Sequence, residues 1–266
     1  MSLWLAIARR AFRRYSTYRA ATLSGIFTNC VFGVIYSYVY LAVWAAAPGA
    51  GGYSSQDAVT YVWLGQALIM TVALWGGGTT EELAERIRTG DVVIDLYRPV
   101  GLIGWYLAGD LGRAAYHLLT RGLVPLLVGA LLFDISAPDG PVTAVAVLLS
   151  VALAVVVSFT MRFLVAALAF WLLDATGPRL LAVVLATFLS GMAVPLVIFP
   201  DGLREVALVL PWASFLQTPA DIWLGERTGW STLGGLGLQV FWAGALLALC
   251  AVVLTRATRK VVVQGG

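Results

Sequence analysis

The sequence of 266 residues has little charge, a single lysine and a single histidine. Charged residues make up 12% of the chain and hydrophobic residues 60%, whereas soluble domains carry charge on about a quarter of their residues. This scarcity of charge excludes an ordinary soluble domain. Apolar runs of about 20 residues recur along the chain and leave no stretch for a separate globular core, so residues 1–266 are predicted to form one membrane domain.

The scarcity of lysine and histidine excludes two common kinds of site. A nucleotide-binding P-loop needs a lysine followed by serine or threonine, but Lys260 is followed by Val261. His117 has no second histidine with which to form a multi-histidine zinc site. We therefore predict that the chain is not an enzyme and has no catalytic, cofactor-binding or metal site. Cys30 and Cys250 lie in apolar runs and are interpreted as packing residues.

The apolar runs predict an all-α, polytopic membrane protein with six transmembrane helices. An amphipathic segment precedes the first of them, with Trp4 and Phe12 on one face and Arg9 and Arg13 on the other. This pattern is typical of a helix that lies in the membrane interface, here over residues 1–19. The predicted spans are 20–44, 58–78, 114–133, 142–173, 180–199 and 232–254.

The distribution of basic residues predicts the orientation of these spans. Basic residues accumulate on the cytoplasmic side of membrane proteins, whereas acidic residues contribute little. With six spans and the N-terminus inside, fifteen arginine and lysine residues lie inside, and only Arg204 and Arg227 lie outside. We therefore predict that both termini are cytoplasmic. The strong preference for arginine over lysine is typical of a GC-rich bacterium, so the predicted location is a bacterial cytoplasmic (inner) membrane.

Residues 79–110 form a long predicted inner segment with its own local structure. Thr79 and Glu82 have the spacing of a capping box, and Gly90 stands where a C-cap glycine would end a short charged helix. An amphipathic stretch then continues to Pro99. Two interpretations are open: a solvated loop on the positively charged side of the membrane, or a coupling helix that docks on a motor protein.

Two stretches of the sequence resemble one family of transport proteins. Residues 87–100, IRTGDVVIDLYRPV, are similar to the cytoplasmic loop before the third span of ABC-2-type exporter permeases, in particular the bacterial branch of uncharacterised ABC transport permeases. Residues 190–200, SGMAVPLVIFP, resemble the fifth span of that family. The apolar residues that follow resemble its external re-entrant helical hairpin, here residues 200–230, and the N-terminal amphipathic segment matches its interfacial helix.

The resemblance implies a permease subunit of an ATP-driven exporter that moves a hydrophobic or amphipathic compound (drug, antibiotic, lipid or peptide) out of the cell. It implies as partners two copies of an ABC ATPase, which bind ATP and Mg, and a second permease, identical or paralogous, among membrane lipids and without nucleic acid. The alternative is an ATP-independent secondary transporter or membrane scaffold protein. In the family the inner loop contacts the ATPase, which implicates Glu81, Glu82, Glu85, Arg86, Gly90, Asp91, Arg98 and Pro99 in ATPase coupling.

Polar and small residues within the predicted spans each have two interpretations. A polar group there is either a packing or snorkelling residue or part of a transport pathway. Small residues spaced by four on the fifth span suit close helix packing, and the resemblance adds a seam between two permeases as the second interpretation. The possible pathway or packing residues are Asn29, Gln66, His117, Arg121 and Arg162, and the possible dimer seam is Ala182, Ala186 and Ser190.

The predicted topology can be tested with single cysteines in a chain that lacks Cys30 and Cys250. Because an impermeant thiol reagent reaches only the outer side of a sealed cell, we expect labelling at Ser54→Cys, Pro138→Cys and Thr228→Cys. The inner positions serve as matched controls and should react only after the membrane is opened. These are Thr89→Cys, Thr176→Cys and Gln264→Cys. The reverse labelling pattern would overturn the orientation.

Overall fold

The computed structural model describes residues 2–172 and 175–264, with side chains up to Arg259, and this part of the chain consists of helices and their connecting loops, with no strand. Leu173, Asp174 and the side chain of Lys260 lie outside the described part. The helices are α1 (Leu3–Thr17), α2 (Arg19–Ala46), α3 (Ser55–Leu68), α4 (Thr79–Thr89), α5 (Val92–Leu96), α6 (Leu102–His117), α7 (Leu123–Leu132), α8 (Gly140–Ala167), α9 (Thr176–Leu189), α10 (Asp201–Val209), α11 (Gln217–Trp223) and α12 (Trp230–Gln264).

Four helices in the described residues are long and apolar enough to cross a membrane. They are α2, α8, α12 and the continuous helix that α6 and α7 form through a π-helical turn at Leu118–Gly122. The all-α prediction is therefore confirmed. The six-span arrangement stays a prediction, because α3 and α9 have 14 residues each and rise only about 21 Å at 1.5 Å per residue.

The second predicted span, 58–78, is interrupted in the structure. α3 ends at Leu68, and the chain then turns through Ala73 at φ 50° and through Gly76, Gly77 and Gly78, which all have positive φ. Such backbone conformations cannot continue a right-handed helix. The third predicted span, in contrast, is longer in the structure than predicted, because its helix, α6, begins at Leu102 rather than at residue 114.

α8 is the central helix of the structure and contributes to three apolar clusters along its length. Val147 and Val151 pack with α3 and α11, whereas Phe159 and Phe163 pack with α4 and α6 at the other end. Between them, Ala154 meets residues of α9 and α12. α8 therefore holds together elements from both halves of the chain.

The predicted external segment 200–230 contains two short helices that differ in burial. α10 exposes most of its residues, whereas every residue of α11 from Gln217 to Ile222 is buried. Polar residues on α11 are satisfied inside the chain: Asp221 accepts a hydrogen bond from the Tyr53 hydroxyl at 2.7 Å and forms an ion pair with Arg227. A re-entrant path for this segment stays a prediction.

The amphipathic N-terminal segment folds as α1, and its apolar face packs along α6. Phe12 and Tyr116 meet edge to face, with ring centroids 5.4 Å apart. The helices approach closely at Gly112, where an added Cβ would lie 2.0 Å from the backbone oxygen of Ala8. Part of the face predicted to enter the lipid interface is therefore covered by α6, and only glycine fits at this position without a shift of the backbone.

Substitution of Gly112 should separate α1 from α6. A methyl group at this position meets backbone that cannot rotate away, so we expect Gly112→Ala to lower the free energy of unfolding by about 1–3 kcal/mol, measured by thermal or denaturant unfolding in detergent. Gly244→Ala on α12 is the matched control, because its new Cβ would meet no atom within 4 Å. Equal stability of the two variants would contradict the proposed packing.

Candidate functional site

The predicted coupling segment folds as two consecutive helices, α4 and α5. Gly90 separates them in a left-handed conformation at φ 85°, and its N–H donates to the Ile87 carbonyl, as a C-cap glycine does. The capping box predicted at the start of α4 is wrong. Gly78 is the N-cap, and the Thr79 hydroxyl donates instead to the Tyr106 carbonyl of α6 at 3.1 Å.

A buried carboxylate that the sequence did not single out holds α4, α5 and α6 together. Asp95 accepts from the Arg86 guanidinium at 2.5 Å, and from the Tyr106 hydroxyl at 3.2 Å. Arg98 forms a second ion pair with it at 3.2 Å. Two predicted coupling residues, Arg86 and Arg98, therefore act as internal partners of Asp95. The only sequence signal was its spacing of three from Arg98.

The acidic predicted coupling residues lie at the surface and also have partners within the chain. Glu82 pairs with Arg14 of α1 at 3.0 Å, and Glu81 pairs with Arg179 of α9 at 3.5 Å. The hydrogen bond from Arg88 holds the pKa of Glu85 below its ordinary value, and hydrogen bonding to Glu82 raises the pKa of Arg14. Asp91 and Pro99 are exposed, and Asp91 accepts from the Thr89 hydroxyl at 3.2 Å.

Apolar side chains are exposed on α5 and just beyond its end. Ile94 is 59% exposed and Tyr97 is 84% exposed, and Val93 lies beside them at the surface. We call these three residues the α5 patch. Neighbouring arginines and carboxylates indicate an aqueous setting for this segment, where exposed apolar groups are a frequent mark of a protein contact. The sequence resemblance had selected the charged residues and missed this patch.

A second buried carboxylate lies where α6, α8 and the turn after α3 meet. Asp110 is 0% exposed and forms ion pairs with Arg113 at 2.8 Å and with Arg162 at 2.7 Å. Charges that are removed from water must be paired and hydrogen-bonded to be tolerated. Arg162, one of the possible pathway or packing residues, is therefore part of this buried network.

The two arginines also bind the irregular segment 69–78. Arg113 donates to the carbonyls of Met70 at 2.6 Å and Thr71 at 2.9 Å, and Arg162 donates to the Gly77 carbonyl at 3.3 Å. These bonds give side-chain partners to carbonyls of the interrupted region, among which that of Met70 also accepts from the Ala73 N–H. The Asp110 network thus joins α6 and α8 to the segment that leads into α4.

A family model described as ABC-2 family transporter protein matches residues 18–265. The chain belongs to this family. The ABC-2 family provides the transmembrane component of ABC transporters, which is generally not catalytic, and membership implies an ABC ATPase as a partner. A comparison with curated proteins finds no match.

Three predicted pathway or packing residues of this ABC-2 protein lie together: Asn29 of α2, Gln66 of α3 and Arg121 of the π-helical turn. The Asn29 amide donates to the carbonyls of Gln66 at 3.0 Å and Arg121 at 3.2 Å, and Arg121 donates to the Asn29 oxygen at 3.4 Å. Asn29 therefore bonds the backbone of Gln66, not its side chain. His117 lies one turn away, buried between the rings of Tyr15 and Tyr116.

The small residues on α9 face the inside of this ABC-2 protein. Ala186 and Ser190 are buried, and Ala186 packs among residues of α8 and α12. The exposed side of α9 carries Leu181, Val184 and other large apolar residues. A dimer seam at Ala182, Ala186 and Ser190 stays a prediction, and the surface open to a second copy is the opposite one.

A cavity of about 630 Å³ lies between α4, α8 and α9. Its wall is mainly apolar and includes Met161, Val165 and Leu185, whereas Glu81 and Arg179 stand at its edge on α4 and α9. A cavity with an apolar wall and charged groups at one edge suits an amphipathic molecule. None of the residues predicted from sequence as pathway residues lines it except Arg162.

The Asp110 network can be tested by removing its charge. Asp110→Asn leaves Arg113 and Arg162 buried without a counter-ion, so we expect a loss of about 3–5 kcal/mol in the free energy of unfolding, read from denaturant unfolding in detergent. Glu85→Gln breaks an ion pair that is exposed on both sides and should leave stability unchanged. If Asp110→Asn is as stable as Glu85→Gln, the network is not a structural requirement.

Proposed function

We propose that the chain is a permease subunit of an ATP-driven exporter and that α4 and α5 receive movement from the ATPase. The protein lies in the bacterial cytoplasmic membrane with both ends in the cytoplasm. Two ATPase copies bind ATP and Mg, and a second permease completes the complex. One observation carries the proposal: α5 exposes an apolar patch, and a buried carboxylate anchors this helix to a membrane-crossing helix.

The contacts of α4 and α5 support transmission from this patch. Asp95 joins α5 to α4 through Arg86 and to α6 through Tyr106. At the other end of α4, Arg162 of α8 donates to the Thr80 hydroxyl at 3.3 Å. A displacement of α5 therefore acts on α6 and α8 through hydrogen bonds and ion pairs rather than through a loose loop.

The cavity between α4, α8 and α9 supports a hydrophobic or amphipathic substrate. Its apolar wall suits hydrocarbon or aromatic groups, and its charged edge suits one polar end. Because α4 forms part of the wall, movement of α4 changes the shape of the cavity. We propose that the substrate is an amphipathic compound and that it moves outward.

The α5 patch provides the test of this function. We expect Ile94→Ser combined with Tyr97→Ala to weaken ATPase association by about tenfold or more, because truncated central apolar residues of an interface typically cost above 1 kcal/mol each. The measurement is ATPase recovered with the permease from its native membrane, with ATP hydrolysis and export followed in parallel. Membrane levels should be normal, since these side chains make few contacts within the chain.

Trp230→Ala is the matched control, because Trp230 is 87% exposed on the predicted outer side. Its ATPase recovery should equal that of the wild type. Full ATPase recovery and export by the double variant would refute coupling through the patch. If the wild-type chain itself carries no ATPase, the ATP-independent transporter or scaffold becomes the better interpretation.

A further inference from the structure

A second cavity, of about 340 Å³, lies between the start of α2, the turn after α3 and the end of α6. Its wall includes Tyr18, Arg113, His117 and Arg121. Two buried nitrogens at this wall, Nδ1 of His117 and Nε of Arg121, have no hydrogen-bond partner within the described part of the chain. His117 is only 7% exposed. Buried donors and acceptors are normally satisfied, so the side chains around this cavity are short of hydrogen-bond partners within the described residues.

The charge around the cavity is positive. None of the described residues that line it is a carboxylate, and Asp110, the partner of Arg113, also pairs with Arg162. Arg121 forms no ion pair with any described residue, and its nearest polar contact is the neutral Asn29 at 3.4 Å. The group that complements this cavity is therefore an anion, and arginine binds phosphate oxygens with particular geometric fit.

The position of Arg121 indicates that the anion belongs to a membrane lipid. Its guanidinium lies against Gly25, which is six residues, or about 9 Å, from the start of α2. Helical side chains lean toward the N-terminus of their helix, which for α6 and α7 is the predicted inner end. One turn outward from Arg121 and Asn29, Val124 and Phe32 are exposed and apolar, as a surface for an acyl chain would be.

We propose that this cavity binds the phosphate headgroup of an inner-leaflet anionic phospholipid, with Arg121 as the main charged contact. His117 and the Tyr18 hydroxyl flank the headgroup, and the acyl chains lie along Val124 and Phe32. The site is separate from the α5 patch and from the cavity beside α9. It requires no ATPase, so its test is independent of the proposed function.

The probe is phosphatidylglycerol added to the purified full chain in detergent, with bound lipid counted by native mass spectrometry. We expect Arg121→Gln to weaken binding of the first phosphatidylglycerol about ten- to hundredfold, as for loss of a charge-assisted hydrogen bond. Arg10→Gln is the matched control. It removes an exposed arginine from the same side of the protein and should leave this affinity unchanged.

Gly25→Ala tests the position of the Arg121 guanidinium without removing its charge. It also keeps the proposal testable if Arg121→Gln does not fold. A Cβ at Gly25 would lie 2.3 Å from the Arg121 guanidinium carbon, so this flexible group must shift while its charge is kept. We expect weakened lipid binding with an unchanged unfolding temperature. Arg121→Lys should recover part of the affinity, because it restores the charge without the bidentate geometry.

Three results would overturn the proposal. Equal phosphatidylglycerol binding by the wild type, Arg121→Gln and Gly25→Ala would show that the cavity is not the site. Diacylglycerol binding as tightly as phosphatidylglycerol would show that no anion is recognised. Displacement of the lipid by millimolar inorganic phosphate would assign the cavity to a free anion rather than to a headgroup.

Discussion

The structure depends on one buried carboxylate, Asp110, held between Arg113 and Arg162. Its two oxygens bind guanidinium groups from α6 and α8, and those groups use their remaining N–H donors on carbonyls of residues 70–77. In a low-dielectric setting an unpaired member of such a set is costly. The network therefore permits three features that would otherwise be unfavourable together: a charge on a membrane-crossing helix, an interrupted helix after α3, and a sharp entry into α4.

Asp95 repeats this arrangement nearer the water. It gathers Arg86, Arg98 and the Tyr106 hydroxyl, and so fixes α5 against α4 and the start of α6. α6 takes part in both networks, because Tyr106 binds Asp95 and Asp110, one turn later, is the second carboxylate. The predicted inner segment is consequently an ordered extension of the membrane helices. A single cooperative unit of this kind can carry a displacement, whereas a solvated loop would absorb it.

Surfaces left unsatisfied by these internal contacts are the ones available for binding. The charged residues of α4 are mostly paired inside the chain, so the apolar α5 patch stands out as a surface for a partner protein. Arg121 differs from the charged residues of α4. It is a half-buried cation, and no acid among the described residues pairs with it. The exposed apolar residues of α5 and the half-buried charge of Arg121 thus suit two different kinds of partner.

Composition, periodicity and local motifs determined the all-helical membrane class, the amphipathic first helix and the end of α4 at Gly90, because each follows from a local pattern. The family was indicated by the resemblance of residues 87–100 and 190–200 to ABC-2-type permeases. These patterns could not determine where α3 ends or where α6 begins. Asp110 was placed at the end of the predicted inner segment because charge in an apolar helix is unfavourable until its partner is known, and Arg162 lies 52 residues away from Asp110. Only the tertiary structure brought these two groups together, buried Asp95, turned the small residues of α9 inward and left Arg121 without an acidic partner among the described residues. Such pairings depend on the packing of distant helices, which no local pattern contains.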